Sequence, residues 1–186
     1  DASDFTFIFV GNVDVEKMKP VIAEYLGALP AVNRKETFKD NKIEMRQGIY
    51  KNEFTKQQET PKASVFAFYN GDCKYDLRNN LLLSMTSQIL DLVYTEKVRE
   101  DEGGTYGVYV GGTLQKYPKE KAILQIIFDT APEKKEKLMK IIFGEIDNIT
   151  KTGPSEANLN KVKEYMLKKH TEDLKENSYW LGSIDE

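Results

Sequence analysis

Along residues 79–112 the apolar positions recur first at helical spacing and then at alternating spacing, and this change of period marks the centre of the chain. Leu81, Leu82, Met85, Ile89, Leu92, Val93 and Val98 lie three and four residues apart, which predicts a long helix with a broad apolar face turned to the core. The pattern then breaks into Arg99, Glu100, Asp101 and Glu102. Gly103 and Gly104 follow, supplying positive-φ positions at which a helix can stop and the chain reverse. Beyond them Tyr106, Val108 and Val110 alternate with Gly107, Tyr109 and Gly111, which predicts a strand with the two sets on opposite faces.

Upstream, residues 5–10 (FTFIFV) form an apolar, β-branched run closed by Gly11 and Asn12, and read as a buried strand. Asp14 is placed to cap a helix carrying Met18, Val21, Ile22, Tyr25, Leu26 and Leu29, which Gly27 and Pro30 end. Residues 31–48 read as a loop, residues 48–55 as a weak edge strand, and residues 63–69 (ASVFAFY) as a stronger, more buried strand stopped by Asn70-Gly71-Asp72. Downstream, residues 116–119 predict a hairpin loop. Residues 122–130 (AILQIIFDT) predict a return strand whose near-continuous hydrophobicity suits the middle of a sheet. Pro132 opens a helix striped by Leu138, Ile141, Ile142, Ile146 and Ile149, and Gly153-Pro154 ends it. Ser155 caps a last, densely charged helix whose narrow apolar side is Val162, Tyr165, Met166 and Leu174. Trp180, in a polar terminal stretch, reads as a buried anchor in preference to a partner contact.

The resulting order, β-α-β-β-α-β-β-α-α, predicts an α+β fold: two layers, a mainly antiparallel sheet with helices packed on one face. Strand pairs that follow one another with no helix between them favour hairpins over a doubly wound parallel sheet. Residues 1–150 are expected to form the domain and residues 151–186 its helical extension.

Length and composition, at 186 residues with 40% apolar and 31% charged, suit one globular domain. A net charge of −3 offers no positive field for nucleic acid. Cys73 is the only cysteine, so no intrachain disulfide forms and cysteine alone cannot build a zinc site. No apolar run approaches the roughly 18 residues of a membrane span, and no signal peptide opens the chain. The start at Asp1, without methionine and running straight into a strand, suggests a piece of a longer polypeptide.

Candidate chemistry is sparse. His170 is the only histidine and stands in the charged last helix, where it reads as a surface residue. A zinc hydrolase needs two or three ligands at one point, and a serine or cysteine nucleophile needs a base; the sequence offers neither pattern. GxSxG, GxxxxGK[ST] and GxGxxG are all absent. What remains is Arg99 and Tyr106, with six residues between them across the helix end and turn. A guanidinium fork and a phenol can together hold a peptide carbonyl while charge develops on its oxygen. Before any resemblance is considered, the residues read first as a favourable charge at a helix C-terminus and an ordinary strand aromatic.

The stretch FIFVGNVDVEKMKPVIAEYLGALP, the long helix ending in EKVREDEGGTYGVYV, and AILQIIFDTAPEKKEKLMKII together resemble the repeated α/β domain of the M16 (pitrilysin or insulinase type) zinc metallopeptidases. The resemblance covers residues 5–149 in element order and is nearest to bacterial pitrilysin-like enzymes. Its sharpest piece is Arg99 with Tyr106. In that family two halves of two domains each close around a peptide, and the HxxEH zinc motif lies in the first domain. This sequence has no such motif. The resemblance therefore implies a non-zinc-binding domain in which Arg99 and Tyr106 bind substrate and help stabilise the transition state. Their match favours the second domain of the C-terminal half, and the second domain of the N-terminal half has the same fold and a related helix-to-strand sequence. Zinc is expected in the full-length enzyme and none in this chain, which alone should be inactive. The expected partners are a peptide substrate and other M16 domains of the same polypeptide or of a partner subunit, and the resemblance suggests a periplasmic location. The alternative implied by the same resemblance is a non-catalytic structural or peptide-holding M16-like subunit.

Overall fold

The computed structural model describes the backbone of residues 1–102 and 105–185, and the side chains of these apart from residues 99–102, 105, 106 and 185. The element order is α1 (Val15–Tyr25), β1 (Ala63–Asp72), α2 (Leu77–Glu102), β2 (Thr105–Gln115), β3 (Lys121–Thr130), a 3-10 turn (Pro132–Lys134), α3 (Lys135–Thr152), α4 (Glu156–Asp173) and α5 (Asn177–Asp185). The expected turn at Gly103 and Gly104 lies outside the described residues. Two compact units are present: Ile43–Glu164, and Asp1–Lys42 together with Tyr165–Glu186.

The first unit holds the sheet, ordered β1-β3-β2 and antiparallel throughout. β3 is central, as its unbroken apolar sequence demands, because both of its edges are paired and its inner side chains are covered. Ile126 and Phe128 of β3 meet Leu90, Tyr94 and Val98 of α2 and Leu138 and Ile142 of α3 in a closed cluster, each at most 2% exposed. Full burial of such side chains contributes roughly 1.5–3 kcal/mol apiece. The chain is thus α+β, with the α2 and α3 helices on one face of an antiparallel sheet.

Several expectations change. The buried stripe of α2 runs through Ser87, Leu90, Tyr94 and Val98 with Ile89 and Val93, whereas Leu81 and Leu82 remain about half exposed. Four-residue spacing places Leu90, Tyr94 and Val98 on one line of the helix, so the face is turned relative to the purely aliphatic pattern. In β1 only Val65 and Ala67 pack on the core, and Phe66 and Phe68 stand exposed on the opposite face.

Residues 48–55 form no strand; Ile49 and Phe54 are exposed. Within this segment Glu53 pairs with Lys135, and just before it Glu44 pairs with Lys119 and Lys121. The Lys135 ammonium holds the Glu53 carboxyl below its usual range, chiefly through the hydrogen bond between them. α3 begins after Pro132 and ends at Gly153, whose φ of 76° is a helix-terminating conformation that glycine adopts freely.

In the second unit Asp14 caps α1 by accepting a hydrogen bond from the Lys17 amide at 3.1 Å, which lowers its pKa. Met18, Ile22 and Leu26 are its half-buried side, while Val21 and Tyr25 are exposed. The strand expected at residues 5–10 is not formed: the segment has no ladder partner, and Phe5, Phe7 and Phe9 are exposed. Alternation can mark a strand but cannot supply the neighbouring chain that completes its hydrogen bonds. Ile8, Phe9, Val10, Val13 and Met18 instead line a hollow of about 330 Å³ with Leu181 of α5. Trp180 is not a buried anchor; it is 43% exposed, and its indole N–H donates to the Leu174 carbonyl at 2.8 Å.

Candidate functional site

Arg99 falls within α2 and Tyr106 within β2, so the helix and the strand read from the sequence are both present; the side chains of Arg99 and Tyr106 and the residues between Glu102 and Thr105 lie outside the described residues. The register of β2 changes near its start. Thr105 pairs with Thr130 and Val108 with Phe128, so three steps on β2 match two on β3. The extra residue is a bulge containing Tyr106 and Gly107, and Gly107 has φ 127°, which disfavours any side chain. The expected simple alternation of Tyr106 with Val108 and Val110 is therefore broken between Tyr106 and Val108.

The helix bearing Arg99 is closely seated. A Cβ on Gly112 of β2 would stand 2.6 Å from Ser87 Oγ and 2.7 Å from Leu83 Cγ, so the absence of a side chain lets α2 approach β2. Two turns further along the same buried stripe the Tyr94 hydroxyl donates to the Ile142 carbonyl of α3 at 3.0 Å. Burial raises the Tyr94 phenol far above its ordinary pKa and keeps it protonated as a donor. One turn further, Lys97 pairs with Glu145 of α3 at the rim. Sequence reading missed Tyr94, although its place four residues after Leu90 and four before Val98 was a usable signal.

The face of the sheet opposite these helices is open and aromatic. By register Phe66, Ile127 and Tyr109 form one row across the three strands, and Phe68, Gln125 and Gly111 the next. Phe66, Phe68 and Tyr109 are 62%, 51% and 55% exposed. The Tyr109 hydroxyl lies over Gly111, 2.5 Å from where a Cβ would be, so the ring reclines along the strand. At one end of this face Asp129 accepts from the Ser64 hydroxyl at 2.6 Å and the Lys62 ammonium at 3.0 Å. Those bonds, Ser64 foremost, hold its carboxyl below the usual aspartate pKa. An extended polypeptide presented to this face would meet flat apolar rings.

The other sequence candidates are not gathered here. His170 is exposed, with Nδ1 3.3 Å from the Tyr179 hydroxyl and the two rings edge to face. Cys73 is half-buried just past β1, its amide donating to the Glu120 carbonyl. Among the described residues no three His, Cys, Asp or Glu side chains converge as metal ligands would. No helix of the described residues is long and apolar enough to cross a membrane.

Comparison with known proteins gives consistent findings. Residues 1–166 match the family described as peptidase M16 inactive domain. The zinc protease PQQL-like protein of Arabidopsis thaliana is 23% identical over 197 residues, covering 99% of this chain and 21% of that protein. The crystal structure of the periplasmic protease PqqL from Escherichia coli superposes with a TM-score of 0.74 at 20% identity, covering 94% of this chain and 19% of the other. A peptidase M16 inactive domain from Pseudomonas fluorescens gives a TM-score of 0.56 at 24% identity, over 67% of this chain and 30% of that one. The chain spans about a fifth of the length of the two proteases it matches. A match over residues 1–166 together with the shared antiparallel α+β fold means that the chain belongs to the M16 peptidase family, as an inactive domain.

Proposed function

We propose that this chain supplies the substrate-gripping groups of a zinc metalloendopeptidase whose metal, water and general base are held by another domain. In this reading the Arg99 guanidinium and the Tyr106 hydroxyl donate to the peptide carbonyl oxygen as it gains negative charge. The open face carrying Phe66, Phe68 and Tyr109 receives the neighbouring residues of the extended substrate. The chain then acts with other M16 domains, of the same polypeptide or a partner subunit, from the C-terminal half of the enzyme. Separation of the substrate clamp from the zinc makes closure of the two halves part of catalysis. A periplasmic location belongs to the proposal by analogy with PqqL.

The observation that carries the reading is the bulge. Relatives of the chain include proteases, and here the β2 register breaks between Thr105 and Val108, in the strand that follows the helix bearing Arg99. Bulges recur beside active sites because they re-aim a side chain out of the regular alternation.

The test is made in the zinc-bearing enzyme to which the chain contributes. Arg99→Ala and Tyr106→Phe are each expected to lower kcat/KM by about 2–4 kcal/mol of transition-state stabilisation, roughly thirtyfold to several hundredfold. Unchanged peptide hydrolysis in both variants would remove the assignment of Arg99 and Tyr106.

A further inference from the structure

We infer that Tyr94 is a positioning residue for Arg99: its buried bond to α3 sets where the end of α2 stands above the sheet. The inference rests on the role proposed for Arg99. Tyr94 precedes Arg99 by five residues, about 7.5 Å along the helix axis. The intrahelical hydrogen bonds fix the shape of a helix but not its place on a sheet, which is set by the contacts its last turns make with neighbouring elements.

Three features fix this one. Tyr94 is 1% exposed and donates at 3.0 Å to the Ile142 carbonyl. That carbonyl sits in the interior of α3, so its remaining lone pair is the only acceptor the phenol needs. Lys97 grips Glu145, one turn along α3 from Ile142, so the two ties are offset by the same step on both helices and resist sliding as well as rotation. Val98, 2% exposed, then places the residue next to Arg99 in the core. A phenylalanine at position 94 would fill nearly the same space without this directional tie. A phenol in the middle of an otherwise hydrocarbon cluster, aimed at a single backbone oxygen, is the feature that packing alone does not account for.

The test uses the zinc-bearing enzyme with Tyr94→Phe, which keeps the ring and removes the donor, in the wild-type and Arg99→Ala backgrounds. Tyr94→Phe is expected to lower kcat about threefold to tenfold with little change in KM, a fraction of the roughly hundredfold attached to a 1 Å misplacement. In the Arg99→Ala background it should produce no further loss, since the group it positions is gone. Lys97→Met, at the exposed rim, should behave the same way with a smaller loss and carries the test if Tyr94→Phe does not fold. An equal loss in both backgrounds, or full activity of the tested variant alongside an impaired Arg99→Ala enzyme, overturns the inference and leaves the Arg99 role standing. Full activity of Arg99→Ala itself overturns both.

Discussion

Replacing Gly112 by alanine sets two physical effects against each other, and the structure decides the sign. Gly112 pairs with Leu124 in the ladder, and its φ is not among the positive values found at Gly107 and Gly153. On backbone grounds alanine is acceptable there, and by restricting the unfolded chain it would stabilise by about 0.4–1 kcal/mol. Its Cβ, however, would lie 2.6 Å from Ser87 Oγ and 2.7 Å from Leu83 Cγ. Ser87 is 8% exposed and its hydroxyl is committed to the Leu83 carbonyl at 2.9 Å, and Leu83 Cγ is a branch point close to the helix backbone. Neither atom can withdraw freely, so α2 must move off β2, an overpacking penalty of about 1–3 kcal/mol. The expected net is a destabilisation of about 1–2 kcal/mol, read as a lower urea midpoint by far-UV circular dichroism. Gly71 in β1 is the control: nothing lies within 4 Å of its Cβ position, so Gly71→Ala should be neutral or slightly stabilising. A Gly112→Ala midpoint at or above that of the wild type would refute the claim that this glycine exists for close helix approach.

Leu138→Ala removes a side chain of zero exposure from the centre of the cluster and should lower stability by about 2–5 kcal/mol in the same unfolding assay. Gly144→Ala, in the exposed middle of α3 with open space at its Cβ, should instead raise the midpoint by an amount worth about 1 kcal/mol. Asp129 has a folded pKa below its unfolded one, so its contribution is present above about pH 4 and is lost as pH falls through the folded value. Asp129→Asn should therefore show a smaller drop in urea midpoint between pH 7 and pH 3 than the wild type; an equal drop would assign the acid sensitivity to other carboxylates.

Much of the architecture was legible because it depends on near neighbours. The period of residues 81–98 marked α2, the unbroken run of residues 122–130 marked the central strand, and the Asp14, Ser155 and Gly153 signals marked helix ends where caps are found. Each rests on contacts within a turn or on which residues tolerate a terminus. The strands expected at residues 5–10 and 48–55 failed for the complementary reason, since a strand exists only when another chain segment pairs with it. The placement of Trp180 failed similarly: size and apolarity suggested burial, but a hydrogen bond to Leu174 and an edge-to-face contact with Tyr179 hold it at the surface.

The candidate site divides along the same line. Sequence alone determined that Arg99 and Tyr106 stand on consecutive elements across a glycine-marked corner, because spacing and turn chemistry are local properties. Only the tertiary structure decided that the β2 register slips by one residue at Tyr106, that Gly112 admits α2 against the sheet, and that Tyr94 binds a carbonyl 48 positions away. Those three features depend on which segments pack together, and packing brings into contact residues whose separation along the chain carries no periodic signal.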